Sequence, residues 1–395
     1  MSPMRLHCGP LFAACLVACC ACGAAAKPAN PPLAFAEAEG AGRFAAGGRG
    51  GAVIKVTTLA DSGPGSLRAA IDTPGARIVD FDVAGTIHLL SDLEIREGHL
   101  TLDGRSAPAQ GIAIADHGLV VRADDVVIRY FRARLGNVSR TEGDAIWVAS
   151  GSRIILDHVS ASWSVDETLS ASARYSEGGI YDLTVQWSII SESLRNAGHS
   201  KGAHGYGSLI RGGRGSRFSF HHNVWANHLQ RMPRPGNYAP LAEDPIGPLI
   251  EFRSNVFYNW GGTAAGYNAD TQSAATYAFI DNCYIAGPDT KGSMIFREEN
   301  PNAKSWFAGN SLNGTIPADQ HSLVQGLWNP LPAPPDVAPV RASPAPAGCE
   351  AALSGAGASA PRDSVDTRVI ASVRNRSGRI IDSQEEVGGW PDLSK

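Results

Sequence analysis

Apolar and polar residues alternate in short runs along this chain, and the runs recur. Seven of them are "VVIRYFRARL", "RIILDHVSAS", "LTVQWSIISE", "FSFHHNVWAN", "IEFRSNVFYN", "YAFIDNCYIA" and "SWFAGNSLNG". Their matching apolar positions are Ile128, Leu156, Val185, Phe220, Phe252, Phe279 and Phe307, separated by 28, 29, 35, 32, 27 and 28 residues. Alternation with period two predicts strands with one buried face. The connections are too long and polar for tight hairpins, and they lack the helical periodicity of a doubly wound sheet. A solenoid satisfies both facts: each repeat is one coil, and its strands stack in parallel on the next. "RIVDFDVAGTIHL", "LEIREGHLTLDG" and "GIAIADHGLVVRADD" read as earlier coils. Asn, Ser and Thr at equivalent inward turns are expected to form ladders that satisfy buried backbone groups. Asp157 and His158 read as such turn or ladder residues, and Trp147 and Trp163 as core.

A solenoid needs covered ends. The glycine-rich stretch "AFAEAEGAGRFAAGGRGG" and the short helix in "GSLRAAI" are expected to cover the N-terminal end. The glycines do not make a phosphate loop, because the Gly-Lys-Ser/Thr ending is missing and a strand follows. The coils then occupy residues 35–329. The Pro/Ala-rich residues 330–348 read as an extended loop. Residues 349–395 combine a helical run, a Gly break and the strand-like "RIID", and are expected to fold back on the coils with Trp390 packed.

Composition narrows the compartment and the partners. At 395 residues and 43% hydrophobic content, the chain can bury a large core. A net charge of −4 offers no general attraction to nucleic acid. Residues 1–26 read as a signal peptide, with Arg5 before an apolar run from Leu11 to Ala18. "LVAC" also matches a lipobox that would place a lipid on Cys19, and ordinary cleavage near Ala24 to Ala26 is the alternative. Either way the chain is exported: secreted, periplasmic or anchored in an outer membrane. Beyond the leader only Cys283 and Cys349 remain. They form one disulfide, or Cys283 is simply a buried small residue. No structural zinc spacing is present in the mature chain.

Five stretches together resemble polysaccharide lyase family 1, the pectate lyases. They are "GGRGGAVIKVTTL", "GTIHL…LTLDGRSAPAQGI", "EGDAIWVASGSRIILDHVSASWSVDE", "HHNVWANHLQRMPR" and "GRIIDSQEEVGGWP". The resemblance implies an all-β fold, a right-handed, single-stranded parallel β-helix with a substrate groove along one face. It implies a monomer that cleaves α-1,4-linked polygalacturonate by elimination, with calcium. It assigns Arg231 the role of base and Pro233 the turn that aims it. Lys201 would contact a substrate carboxylate or the C4-side oxygen, and Arg234 would bind a substrate carboxylate. Calcium would be held by Glu142, Asp144 and Asp166, with Glu167 as the alternative to Asp166. Two positions depart from the family pattern: a fourth acidic position is Ser170, and a second arginine, five residues after the first, is Gly236.

The chemistry explains these residue types. The proton on C5 of a uronate is weakly acidic beside a negative carboxylate. A cation on that carboxylate and a base close to C5 both help its removal. Calcium takes oxygen ligands from Asp and Glu. Arginine, with a side-chain pKa above ~12, would need neighbouring cations to become a base, and an alkaline optimum would follow. On a strand Asp166 and Glu167 would face opposite ways, so both bind one ion only if the backbone bulges. His221 and His222 would likewise diverge, one inward and one bordering the groove. Two further readings compete: a pectin lyase acting on methyl esters, against which the acidic residues speak, and a β-helix that binds polysaccharide without cleaving it.

Overall fold

The computed structural model describes residues 31–395 apart from Ala342, together with Met1, Pro3 and Gly9. Apart from those three residues the expected leader, Cys19 included, lies outside the described residues. From Ala52 onward the chain winds as a parallel β-helix with three strand-bearing faces. Ten parallel strands of the first sheet run from Ala52–Val56 to Ala303–Ala308, and nine of the second from Gly85–His88 to Ser311–Leu312. The third face carries short strands, among them Leu119–Arg122, Leu169–Ser172, Leu209–Arg211 and Arg234–Gly236. The long strand Ile146–Asp157 bends from the third face into the first.

The seven apolar positions form one in-register file on the inner side of the first sheet, from Ile128 through Leu156, Val185, Phe220, Phe252 and Phe279 to Phe307. The phenylalanines stack at centroid separations of 5.4, 4.7 and 5.0 Å. Two residues beyond each, the backbone turns left-handed: φ is 50° at Tyr130, 54° at His158, 50° at Trp187, 55° at His222, 54° at Ser254, 55° at Asp281 and 67° at Gly309. This corner swings the chain from the first sheet to the second. The corner side chains of Tyr130, His158, Trp187 and His222 stack in turn, at 4.6, 6.0 and 4.3 Å.

The next residue in four late coils is a buried asparagine. Asn223, Asn255 and Asn282 each donate from Nδ2 to the Oδ1 of the next asparagine, at 3.1, 3.0 and 2.9 Å, and Asn310 ends the ladder on Gln320 at 3.1 Å. The same amides reach the carbonyls of Val185, Phe220, Phe252 and Phe279. The ladder thus satisfies corner groups that no sheet can pair. Asp157, expected in such a role, is buried between Arg129 Nε at 2.7 Å and Gln186 Nε2 at 2.8 Å.

Four expectations need correction. The glycine-rich segment does not cover the end; it runs along the outside of the first sheet. Gly42 N donates to Thr184 Oγ1 at 2.9 Å and Gly48 N to Thr101 Oγ1 at 2.9 Å. A Cβ on Gly42 would lie 2.0 Å from the Ile154 carbonyl oxygen, so glycine is what permits this approach. Only the short helix α1 (Leu67–Ile71), capped by Ser66, packs at the first coils. Helix α2 (Ala345–Gly355) begins inside the stretch read as loop, and "RIID" joins no sheet. The histidine pair does not diverge toward a groove: the left-handed turn at His222 sets the two Nδ1 atoms 3.0 Å apart, both residues buried. Trp147, read as core, is half-buried on the third face, whereas Trp163 is fully buried.

Helices α2 and α3 (Ser364–Asn375) lie against the second sheet, where Ala352, Leu353, Val369 and Val373 pack on Ile189, Val224, Val256 and Tyr258. Cys283 and Cys349 are bonded across this contact, with Cα atoms 6.2 Å apart. Closing so long a loop is worth up to about 4 kcal/mol in the chain-entropy account. Trp390 meets Trp163 edge-on at 5.9 Å and donates to the Arg134 carbonyl at 2.8 Å.

Two predictions follow from this packing. Asn255→Ala strands the Phe220 carbonyl and the Asn223 N–H in the core, and should lower the unfolding free energy by about 3 kcal/mol or more. A urea titration showing less than about 1 kcal/mol would remove the ladder's structural role. Burial pushes His222 and His228 down from 6.5 to about 4. The unfolded chain takes up these protons below pH 6.5 while the folded chain refuses them until about pH 4. Stability should therefore fall as pH drops through that window. Denaturation midpoints compared at neutral and mildly acidic pH check this, and a flat profile would contradict it.

Candidate active site

The third face turns its outward side chains into a groove. Coil stacking aligns Trp147 with Ser170, Ser172 with Arg211, and Arg211 with Gly236, while Glu167, Tyr206 and Gln230 bridge successively. A cavity of about 280 Å³ on this face is lined by Glu142, Asp144, Trp147, Asp166, Glu167 and Ser170, among others. The acidic residues expected from widely separated sequence positions thus meet in one place.

Within the cavity the carboxylates divide. Asp144, Asp166 and Glu167 bring one oxygen each within 4.8 Å of one another. Asp166 sits in a bend and Glu167 at the following bridge, so the strict strand alternation that would have separated them does not apply. Glu142 is committed elsewhere: its two oxygens accept from Ser200 N and Ser200 Oγ, both at 2.8 Å. Those bonds hold the exposed Glu142 carboxyl below its usual range. Burial, and then the charge of Asp166, push the Asp144 carboxyl well above its usual range. Asp166 Oδ1 lies 2.7 Å from His204 Nε2 but out of line for a hydrogen bond, and has no such partner among the described residues. Crowded carboxylates with an unpaired oxygen fit a hard cation that takes oxygen ligands, and calcium suits that donor set. Ser170, in place of a fourth carboxylate, lines the same cavity.

Arg231 lies at the edge of this trio. It adopts a left-handed conformation with φ of 60°, followed by buried Met232 and by Pro233, whose peptide bond is cis. Its Nη1 pairs with Glu167. Its guanidinium lies 4.1 Å from the centre of the Tyr206 ring, and its Nε is 3.3 Å from the Tyr267 hydroxyl. The charge touching Arg231 is thus a carboxylate, where neighbouring cations were expected. Arg234 donates to Asp270 Oδ1 at 3.0 Å. Arg211 binds the same carboxylate through Nη2 and through Nε, the latter at 2.8 Å. A Cβ at Gly236 would fall 2.0 Å from Asp270 Oδ2, so the glycine makes room for this carboxylate. Lys201 is exposed on the loop that carries Ser200, and its backbone N–H donates to His199 Nδ1 at 3.1 Å. Its side chain does not line the cavity.

Sequence reasoning passed over Tyr206, Tyr267, His199 and His204. The two histidine rings stack at 3.8 Å beside Asp166. Both stand in "HSKGAHGYG", where the resemblance assigns a role only to the lysine. Tyr238, Asp270 and Arg211 carried no local signal.

No family model matches the chain. A probable pectate lyase C from Aspergillus terreus is 35% identical over 381 residues, covering 91% of this chain and 82% of that protein. One from Aspergillus flavus is 32% identical over 373 residues, covering 92% and 83%. Among solved structures, the major allergen from cedar pollen, jun a 1, aligns with a TM-score of 0.59 at 17% identity, over 81% of this chain and 92% of its own. A pectate lyase bound to a hexasaccharide aligns with a TM-score of 0.59 at 12% identity, over 82% and 97%. Fold and relatives define the class as a polysaccharide lyase built on a parallel β-helix. The chain belongs to the pectate lyase family.

If the trio holds calcium, the ion should raise the melting temperature, by an amount equivalent to about 2.7 kcal/mol at a hundredfold excess over the dissociation constant. Asp144→Asn should remove most of that shift. Calorimetry showing no shift in the wild type, or an equal shift in the variant, would exclude the site.

Proposed function

We propose that the protein is an exported pectate lyase that cleaves α-1,4-linked polygalacturonate by β-elimination, with Arg231 taking the C5 proton. One observation carries this reading: Arg231 pairs directly with Glu167 of the acidic trio. A candidate base and a candidate cation site therefore share one side chain in one groove. Calcium held by Asp144, Asp166 and Glu167 would supply positive charge to the substrate carboxylate and acidify C5. In its neutral form, having first given a proton to solvent, Arg231 accepts the C5 proton on the vacated nitrogen, the C–H electrons form the C4–C5 double bond, and the C4–O bond breaks. The departing oxygen is protonated from solvent and leaves a new reducing end.

Other side chains serve orientation. Tyr206 lies against one face of the Arg231 guanidinium, and Tyr267 meets its Nε. Ser200 holds Glu142 at the groove edge, and Lys201 follows Ser200 in the chain. We assign Lys201 and Arg234 to substrate carboxylates. The acidic trio disfavours a methyl-esterified substrate, which would bring no charge to a bound cation. Export is supported by the leader-like sequence and by the disulfide, which suits an oxidising compartment.

Polygalacturonate should yield unsaturated, ultraviolet-absorbing products, and chelation should stop their formation. Arg231→Ala should lower kcat by about 10²–10⁴-fold while the protein stays folded. A folded Arg231→Ala protein with full activity would overturn the assignment of the base. Undiminished activity in chelator would overturn that of calcium.

A further inference from the structure

Beside the acidic trio stands a second group of donors, of a different kind. Asp166, His199 and His204 each bring one ligand atom within 4.8 Å of the others. The histidines come from the loop between the strands Ile189–Ser191 and Leu209–Arg211. Asp166 comes from the corresponding turn one coil earlier, so no sequence spacing announces the group. Both Nε2 atoms face its carboxylate: that of His204 lies 2.7 Å from Oδ1, and that of His199 lies 3.8 Å from Oδ2.

Three features separate this group from an ordinary ion pair. His204 is 5% exposed and His199 8%, so both rings are withdrawn from water. The His204 contact is close but out of line, and it leaves Asp166 Oδ1 without a hydrogen-bond partner among the described residues. A histidine that donates to a carboxylate points its N–H at the oxygen. A nitrogen and an oxygen that lie close and unbonded are arranged as two donors to a common third atom are. Donors at about 2.0–2.1 Å from one tetrahedral ion lie about 3.4 Å apart, and the two separations here fall on either side of that spacing. Finally, the His204 ring is held in place, packed between His199 at 3.8 Å and Tyr206 at 4.2 Å.

The donor set decides the ion. Two imidazoles and one carboxylate suit zinc and its neighbours, whereas calcium takes oxygen ligands. His199 Nδ1 accepts from Lys201 N at 3.1 Å, which leaves the ring proton on Nε2. An ion at Nε2 moves that proton to Nδ1, where Glu142 Oε2, 3.6 Å away, stands as its acceptor. The two rings are nearly parallel, at 13°, so one must turn about its Cβ–Cγ bond for both lone pairs to meet the ion.

We propose that Asp166, His199 and His204 form a binding site for a divalent transition ion of the zinc type, distinct from the all-carboxylate trio but joined to it through Asp166. One carboxylate then serves two sites, so zinc in one lowers the affinity of the other for calcium. The zinc site itself needs no calcium in the trio.

The test titrates the full protein, stripped with chelator and dialysed, with zinc chloride in a calorimeter. Wild type should bind zinc at one site per chain more tightly than it binds calcium. His204→Ala should weaken zinc binding by at least about tenfold while circular dichroism stays that of the wild type. The same variant should keep its calcium affinity, which a general loss of structure would not allow. Calcium should bind zinc-loaded wild type more weakly than zinc-free wild type. If His204→Ala does not fold, His199→Asn carries the comparison. No zinc bound by the wild type, or a zinc affinity unchanged in whichever variant folds, would overturn the site. Absence of calcium binding by the wild type would overturn the calcium reading of the trio instead, and the zinc titrations would still decide this one.

Discussion

Seven successive coils of this protein turn the same corner. From Ile128 to Phe307 a left-handed residue follows two positions after each member of the apolar file, with φ between 50° and 67°. Only one of the seven is glycine. Left-handed backbone is unfavourable for the other six, so neighbouring coils must enforce it. They do so by stacking the corner side chains on one another and by running the asparagine ladder beneath them. The corner is therefore cooperative: a coil that turned elsewhere would lose its register with both neighbours. Register in turn fixes what the third face presents, because Ser172, Arg211 and Gly236 align only while the coils keep step.

Against that frame the groove is electrostatically unbalanced, in opposite senses at its two ends. In the acidic cavity burial, and then the charge of Asp166, make Asp144 resist ionisation. Beyond it Arg211 and Arg234 gather around Asp270. A neutral sugar would gain little from either end. A polyanion with regularly spaced carboxylates, bringing a divalent cation to the acidic end, matches both. Glu167 is the hinge of this arrangement. It belongs to the trio and also pairs with Arg231, so a cation drawing on its oxygens competes with the arginine for them. Under the proposed mechanism, occupation of the trio and release of Arg231 toward a substrate would be linked by simple charge competition.

The fold was legible because its signal is repeated. Period-two alternation at near-constant spacing specified parallel coils, and the recurring Asn specified the ladder. The acidic residues were legible through the resemblance, but their partition was not. Glu142 is drawn off by Ser200, and the bend at Asp166 turns that carboxylate beside Glu167. Both depend on loop geometry that alternation does not encode. The glycine-rich segment was misplaced for a related reason. Glycines look alike in sequence whether they form a turn or allow close approach, and here they lie against backbone carbonyls of the first sheet. His221 and His222 were misread because strand geometry was carried one residue too far, through a corner.

The spacing itself held a functional signal that repeat detection tends to discard. Four of the six gaps lie between 27 and 29 residues, and two are longer, at 35 and 32. A second set of left-handed positions, Trp163, Glu192, Asn227 and Asn259, shows the same 29, 35 and 32 gaps. Since the corners on both sides of the second sheet shift together, the extra residues cannot lie between them. They fall between the end of the second sheet and the start of the next coil, on the third face. Those two insertions carry His199, Lys201, His204 and Tyr206 in one, and Arg231, Arg234 and Tyr238 in the other. In a stacked solenoid the regular coil is architecture, and a coil that breaks the period must expel its surplus outward at one face. Here that face is the groove, so the two irregular repeats mark the groove side of the fold even before any motif is considered.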